Sequence, residues 1–114
     1  MFRHVSFFPP AMKQEDGLRI AKQVKSLLLK RGFPVRRVVL YGSVAEDAAH
    51  EWSDIDIAVI TSPFRESLMD ERVDIHLASM DIDPRVETVT LHPEDFSYPF
   101  FTLAREIERT GIEV

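Results

Sequence analysis

Apolar residues recur along this chain with two periods, and the switches between them mark its elements. From Lys13 to Arg31, Leu18, Ala21, Val24, Leu27 and Leu28 fall at spacings of three and four. That is an amphipathic helix, with Gly32 as its C′ residue and Pro34 just beyond. The run Val35 to Tyr41, with Arg36 and Arg37 inside it, reads as a strand and breaks at Gly42-Ser43. Ser43 stands three residues before Glu46, the spacing of a capping box, so a short helix is expected from Ser43 to about Ala49. His50 to Ser53 is a loop, and Ile55 to Ile60 a second strand. After Pro63, the polar segment Phe64 to Arg72 fits a loop or a short helix. Arg72 to Ala78 alternates, with Val73, Ile75 and Leu77 on one side and Asp74 and His76 on the other, which predicts a third strand. Asp81 to Pro84 is a turn and Val86 to Leu91 a fourth strand. A last helix is expected from Ser97, its N-cap, to Thr110. Pro99 sits in its first turn, Phe100, Leu103, Ala104 and Ile107 form its stripe, and Gly111 ends it.

The order αβαβ(α)ββα predicts an α/β (α+β) fold, a small mixed sheet of about four strands with helices packed on it. At 114 residues the chain suits one domain, spanning 13–114, that buries about two-thirds of its unfolded surface. Residues 1–12 end in Pro9-Pro10-Ala11-Met12 without helical period and read as an N-terminal arm or a vector remnant. Phe2, Phe7 and Phe8 would pack on the surface or on a partner. The net charge of −5 argues against direct nucleic-acid binding, which needs a basic stripe. There is no cysteine, which excludes disulfides and thiolate metal sites. No apolar run reaches the ~20 residues of a membrane span, and no signal-peptide core is present, so a soluble cytoplasmic protein is expected.

The chemistry concentrates at the two breaks around the second strand. Strand residues at i and i+2 share a face about 6.5–7 Å apart, so Asp54 and Asp56 aim two carboxylates at one spot. Ile55, Ile57 and Val59 face the opposite way, into a core. Aspartate is depleted in strands, and two on one face of so apolar a run point to a bound cation rather than to exposed edge residues. Magnesium suits them, as a hard ion that takes one or two carboxylates plus substrate phosphate oxygens. Opposite, Gly42 lets a phosphate approach the main chain, and the helix opening at Ser43 presents N–H groups to an anion.

Gly42-Ser43, nine intervening residues, then Ser53-Asp54-Ile55-Asp56 resembles the signature of the DNA polymerase β-like nucleotidyltransferase superfamily. The small size points to its minimal nucleotidyltransferase branch, often paired with a HEPN-domain protein. The resemblance implies a polymerase β palm-like fold and a nucleotide site at Gly42, Ser43 and Ser53, with ATP or another nucleoside triphosphate as substrate. It implies that Asp54 and Asp56 bind two magnesium ions. A third carboxylate on a neighbouring strand completes the metal and catalytic set and helps deprotonate the acceptor; Asp74 is the residue assigned to it. The activity implied is transfer of a nucleoside monophosphate, AMP from ATP, to a hydroxyl of a partner protein or small molecule. An antitoxin that adenylylates a HEPN-type toxin fits that description.

The chain departs from the family pattern after the Gly-Ser pair. Val44 stands where an arginine or aromatic is common, and Glu46-Asp47 replaces Arg-Gly. Between Arg37 and Arg65 there is no lysine or arginine. Neutralising a triphosphate would fall to magnesium, backbone N–H groups and Arg36, Arg37, Arg72 or Arg85. His76 shares the predicted face of Asp74 and is either structural or close to the site. Glu87 reads as a surface residue. Trp52 stacks on a base or anchors its loop, and Phe100-Phe101 is core or partner interface. A second functional reading is a nucleotide- or partner-binding module with weak or lost catalysis. A glycosyltransferase is excluded by length, and a homodimer is left open. The catalytic reading depends on Asp74 converging with Asp54 and Asp56.

Overall fold

A computed structural model of the chain describes residues 11–51 and 53–114. The expected N-terminal arm, apart from Ala11 and Met12, and Trp52 lie outside them. Helix α1, Gln14–Lys30, lays Ile20, Ala21, Val24 and Leu28 into the core. It closes as a Schellman motif: Gly32, at φ +87°, donates to the Leu29 carbonyl and Phe33 to the Leu28 carbonyl. Strand β1, Val35–Tyr41, follows, then the single turn α2, Gly42–Ala45, and strand β2, Ile55–Thr61. Helix α3, Leu68–Met80, crosses over to strand β3, Val86–Leu91. A 3-10 turn at Pro93–Ser97 leads to helix α4, Thr102–Thr110, and the short strand β4, Ile112–Glu113.

The four strands form one mixed sheet in the order β3-β2-β1-β4. β1 is antiparallel to β2 and to β4, whereas β2 and β3 run parallel, joined through α3 as a βαβ unit. Helices α1 and α3 cover one face, against Val38, Leu40, Ile55, Ile57 and Val59. Helix α4 covers the other, against Val39, Ala58, Ile60 and Leu91. Burial on both faces explains why β2 is apolar at nearly every position. Among the described residues, no helix is long and apolar enough to cross a membrane.

Three local expectations are overturned. The strand expected at Arg72–Ala78 is the middle of α3. Its two-residue alternation is coincidental: Glu71, Ile75, Ala78 and Ser79 are the buried set, at helical spacing, while Val73 and Leu77 face solvent. Ser67 caps α3 by accepting from the Asp70 N–H at 3.4 Å, and Asp70 and Glu71 occupy the first turn, where acidic residues suit the helix dipole. The helix expected from Ser43 to Ala49 stops after one turn, and Ser43 does not cap it; Tyr41 holds the N-cap position without a side-chain bond. Asp47, at φ +57°, ends the turn in the left-handed region that aspartate tolerates. The last helix starts at Thr102, not Ser97, because residues 93–97 coil separately as the 3-10 turn. Phe100 is consequently 93% exposed instead of part of the core stripe.

Candidate active site

Pairing places three side chains in a row across three strands. Tyr41 of β1 lies opposite Asp56 of β2, and Asp56 lies beside Glu87 of β3. By strand alternation these three share the face of Val39, Ala58, Ile60, Val89 and Leu91, the one α4 covers. Asp54, one step before β2, brings its carboxylate within hydrogen-bonding reach of Glu87. Helix α4 adds Glu106, close enough to raise the pKa of both Asp56 and Tyr41.

The electrostatics of this corner are those of crowded negative charge. Burial, then the Glu87, Asp54 and Glu106 carboxylates, push Asp56 up to about 6. Burial, then Asp56, Glu106 and Glu87, push the Tyr41 hydroxyl up to about 12. The bond to Asp54 raises Glu87, with burial adding to the rise, while His76 of α3 acts in the opposite direction. Among the described residues, no three His, Asp or Glu side chains are gathered into a metal cage. The donor chemistry nonetheless fits a hard divalent cation: adjacent carboxylates whose mutual repulsion holds protons on them are stabilised when a cation replaces those protons.

Gly42 closes the site from the β1 side. Its φ of +73° is left-handed, and a Cβ built on it would stand 2.5 Å from Asp56 Oδ2, so the main chain here touches the carboxylate. The Gly42 N–H donates to Thr110 Oγ1 at 3.3 Å, and the Thr110 hydroxyl donates to the Glu106 carbonyl at 3.0 Å. The end of α4 thus holds the corner in place. From the other side, Gln14 of α1 donates through Nε2 to the Ala45 carbonyl at 2.7 Å and through its N–H to Asp47 Oδ1 at 3.3 Å. Ser43 follows directly, half-buried, and Ser53 accepts from the His50 N–H at 2.9 Å, tying the loop that delivers Asp54.

Asp74 does not join them. It lies on α3, against the opposite face of the sheet, and accepts from Arg65 Nη1 at 3.0 Å. The third carboxylate beside Asp54 and Asp56 is Glu87. Its signal was in the sequence: a glutamate inside the apolar run Val86–Leu91 is the same anomaly as an aspartate inside β2. Nothing local announces Glu106, which only the docking of α4 brings in.

The cations expected for a triphosphate are mostly committed elsewhere. Arg36 donates to Ser62 Oγ, and Arg37 pairs with Glu113 at 2.7 Å and lies over the Phe96 ring, both toward the far end of β1. Arg85 grips both oxygens of Asp83, and Arg72 sits on α3. Arg109, next to Thr110 at the end of α4, makes a loose 3.7 Å pair with Glu46 at the rim of the Gly42 corner.

Residues 19–112 match the family model described as nucleotidyltransferase domain. No curated protein matches the sequence significantly. Among solved structures, a candidate nucleotidyltransferase from Sulfolobus solfataricus superposes with a TM-score of 0.63 at 20% identity, covering 88% of this chain and 80% of that one. A candidate minimal nucleotidyltransferase superposes with a TM-score of 0.57 at 28% identity, covering 90% and 97%. A tri-AMPylated Shewanella oneidensis HEPN toxin in complex with its MNT antitoxin includes a chain matched with a TM-score of 0.54 at 14% identity, covering 85% and 70%. The first and last of these likenesses establish a shared fold.

Proposed function

Because the chain belongs to the nucleotidyltransferase domain family, we propose that it transfers a nucleoside monophosphate, AMP from ATP, to an acceptor hydroxyl at the Asp54–Asp56–Glu87 corner. The observation that carries this reading is the alignment of Asp56 with Glu87 on neighbouring strands, with Asp54 at bonding distance from Glu87 and the Gly42 main chain against Asp56. Bound magnesium would supply charge neutralisation and orientation of the phosphate oxygens there. Asp54, Asp56 and Glu87 would hold it, with Glu87 in the place that Asp74 was expected to fill.

The protein's own part is positioning. Gly42 and Ser43 face the phosphates, the glycine because no side chain intervenes, and Ser53 fixes the loop beside them. The acceptor oxygen attacks the α-phosphorus, the bond to the bridging oxygen breaks, and pyrophosphate leaves with those electrons. The acceptor proton passes to a carboxylate of the cluster, and Glu87, standing in the place of the third carboxylate, is the group assigned to take it. Arg109 is the cation at the rim that can turn from Glu46 to the departing phosphates. The Shewanella complex supports a HEPN-type protein as the acceptor of AMP.

Incubation of the protein with labelled ATP, magnesium and its genomic neighbour tests this directly. Transfer should be lost in Glu87→Gln and Asp56→Asn and retained in Asp74→Asn. Transfer that survives Glu87→Gln but not Asp74→Asn would overturn the assignment. Magnesium-ATP binding without transfer to the neighbour would favour a binding module instead.

A further inference from the structure

Of the eight large hydrophobic side chains more than a third exposed among the described residues, five lie on α3. At 100° per residue, four of them, Met69, Val73, Leu77 and Met80, fall on one stripe opposite the buried set Glu71, Ile75, Ala78 and Ser79. The helix is therefore apolar on both its inner and outer faces, the pattern of a helix covered twice. The stripe runs about 17 Å from Met69 to Met80, and Met69 and Leu77 are 63% and 60% exposed.

The edges of the stripe are opposite in charge, which makes the patch complementary to a second copy of itself. Asp70 and Asp74 line one edge of the stripe, and Arg72 and His76 line the other. A two-fold axis along the helices sets two copies parallel, with the acidic edge of each against the basic edge of the other. A two-fold axis across the helices sets them antiparallel and brings like edges together, which is repulsive. Arg65 already leans on the acidic edge, at 3.0 Å from Asp74 and 3.7 Å from Asp70, so the electrostatic gain is partial and the apolar stripe supplies most of the contact.

We propose that α3 is a homodimer interface, in which the Met69–Val73–Leu77–Met80 stripe packs on its counterpart in a second copy with the two helices parallel. The surface is small beside the roughly 800 Å² per partner of a stable complex, so the dimer dissociates on dilution. The Tyr41–Asp56–Glu87 row lies on the other face of the sheet.

Sedimentation of the full chain from about 1 µM to about 1 mM reads the equilibrium, a range that brackets a weak interface. The wild type should shift from monomer to dimer. Leu77→Glu, at an exposed position that leaves the fold intact by circular dichroism, should raise the dissociation constant at least about tenfold, the effect of losing one well-packed apolar contact. Phe100→Glu, exposed on another part of the surface, should leave the constant unchanged. Orientation is read by cross-linking, which the absence of cysteine makes clean. Met69→Cys should form a disulfide dimer with itself under mild oxidation, because parallel helices place each residue against its own counterpart. A chain monomeric throughout, a dimer indifferent to Leu77→Glu, or a Met69→Cys protein that links only to Met80→Cys would each overturn the proposal. Capture of a different protein by the stripe of a monomeric chain would do so as well.

Discussion

Asp56→Asn should make the metal-free protein more stable, although it removes a residue from the centre of the site. The Asp56 carboxyl is raised from an ordinary 3.8 to about 6 by burial and by Glu87, Asp54 and Glu106. Two units at 1.36 kcal/mol each set an upper bound of about 3 kcal/mol; the carboxyl is only half-buried, so solvent screening reduces this to about 1–2 kcal/mol. The sign follows from proton binding. Between pH 3.8 and about 6 the unfolded chain has released this proton and the folded one still holds it. Stability therefore falls as pH rises through that window and stays lower above it. Urea unfolding in EDTA from pH 4 to 8 measures the effect. The variant should lack this part of the pH slope and exceed the wild type at pH 8 by about 1–2 kcal/mol, or several degrees of Tm for a domain of this size. Titrating groups remote from this corner cancel in the difference between the two proteins, whereas Glu87, Asp54, Glu106 and Tyr41, which interact with the Asp56 charge, are relieved along with it. A variant less stable than wild type at pH 8 in EDTA, or one with an unchanged slope, would refute the picture of uncompensated carboxylate repulsion.

Two further outcomes are expected. Gly42→Ala combines a left-handed φ with a Cβ 2.5 Å from Asp56 Oδ2, so it should cost about 1–3 kcal/mol in chemical unfolding and abolish nucleotide binding with it; an unaltered melting curve would show that the corner yields freely. Glu71, 1% exposed, accepts from the Phe64 and Arg65 N–H groups at 3.0 and 3.3 Å and meets His92 Nε2 at 2.6 Å. Burial raises its pKa, but the His92 and backbone bonds outweigh it and the net shift is downward. Glu71→Ala should cost about 3 kcal/mol by stranding those donors. The stability Glu71 contributes is full above its ordinary 4.5 and is lost as pH falls through the lower folded value, so acid titration of Glu71→Gln should show a shallower loss than wild type.

The misread strand and the misplaced third carboxylate share one origin. Seven residues from Arg72 to Ala78 satisfy the two-residue period and the helical period alike, because the outer face of α3 is apolar as well as the inner one. Alternation predicts burial of Val73 and Leu77, which are 45% and 60% exposed. The longer window from Ser67, with its cap and acidic first turn, favours the helix. Taking that helix for a strand placed Asp74 in the site and left Glu87 on the surface. The same ambiguity hid the exposed stripe.

What the order of residues determined by itself is local: α1 with its glycine stop, the strands β1, β2 and β3, and the Gly42-Ser43 and Asp54-Asp56 pairs whose spacing carries the family resemblance. These need only the periods of helix and strand and the chemistry of single residues. Tertiary structure decided which carboxylates meet. The parallel register of β3 on β2 sets Glu87 beside Asp56, the docking of α4 adds Glu106 and Thr110, and the crossover through α3 carries Asp74 to the opposite face. Convergence of side chains distant in sequence depends on pairing and packing, and neither is a property of any one segment.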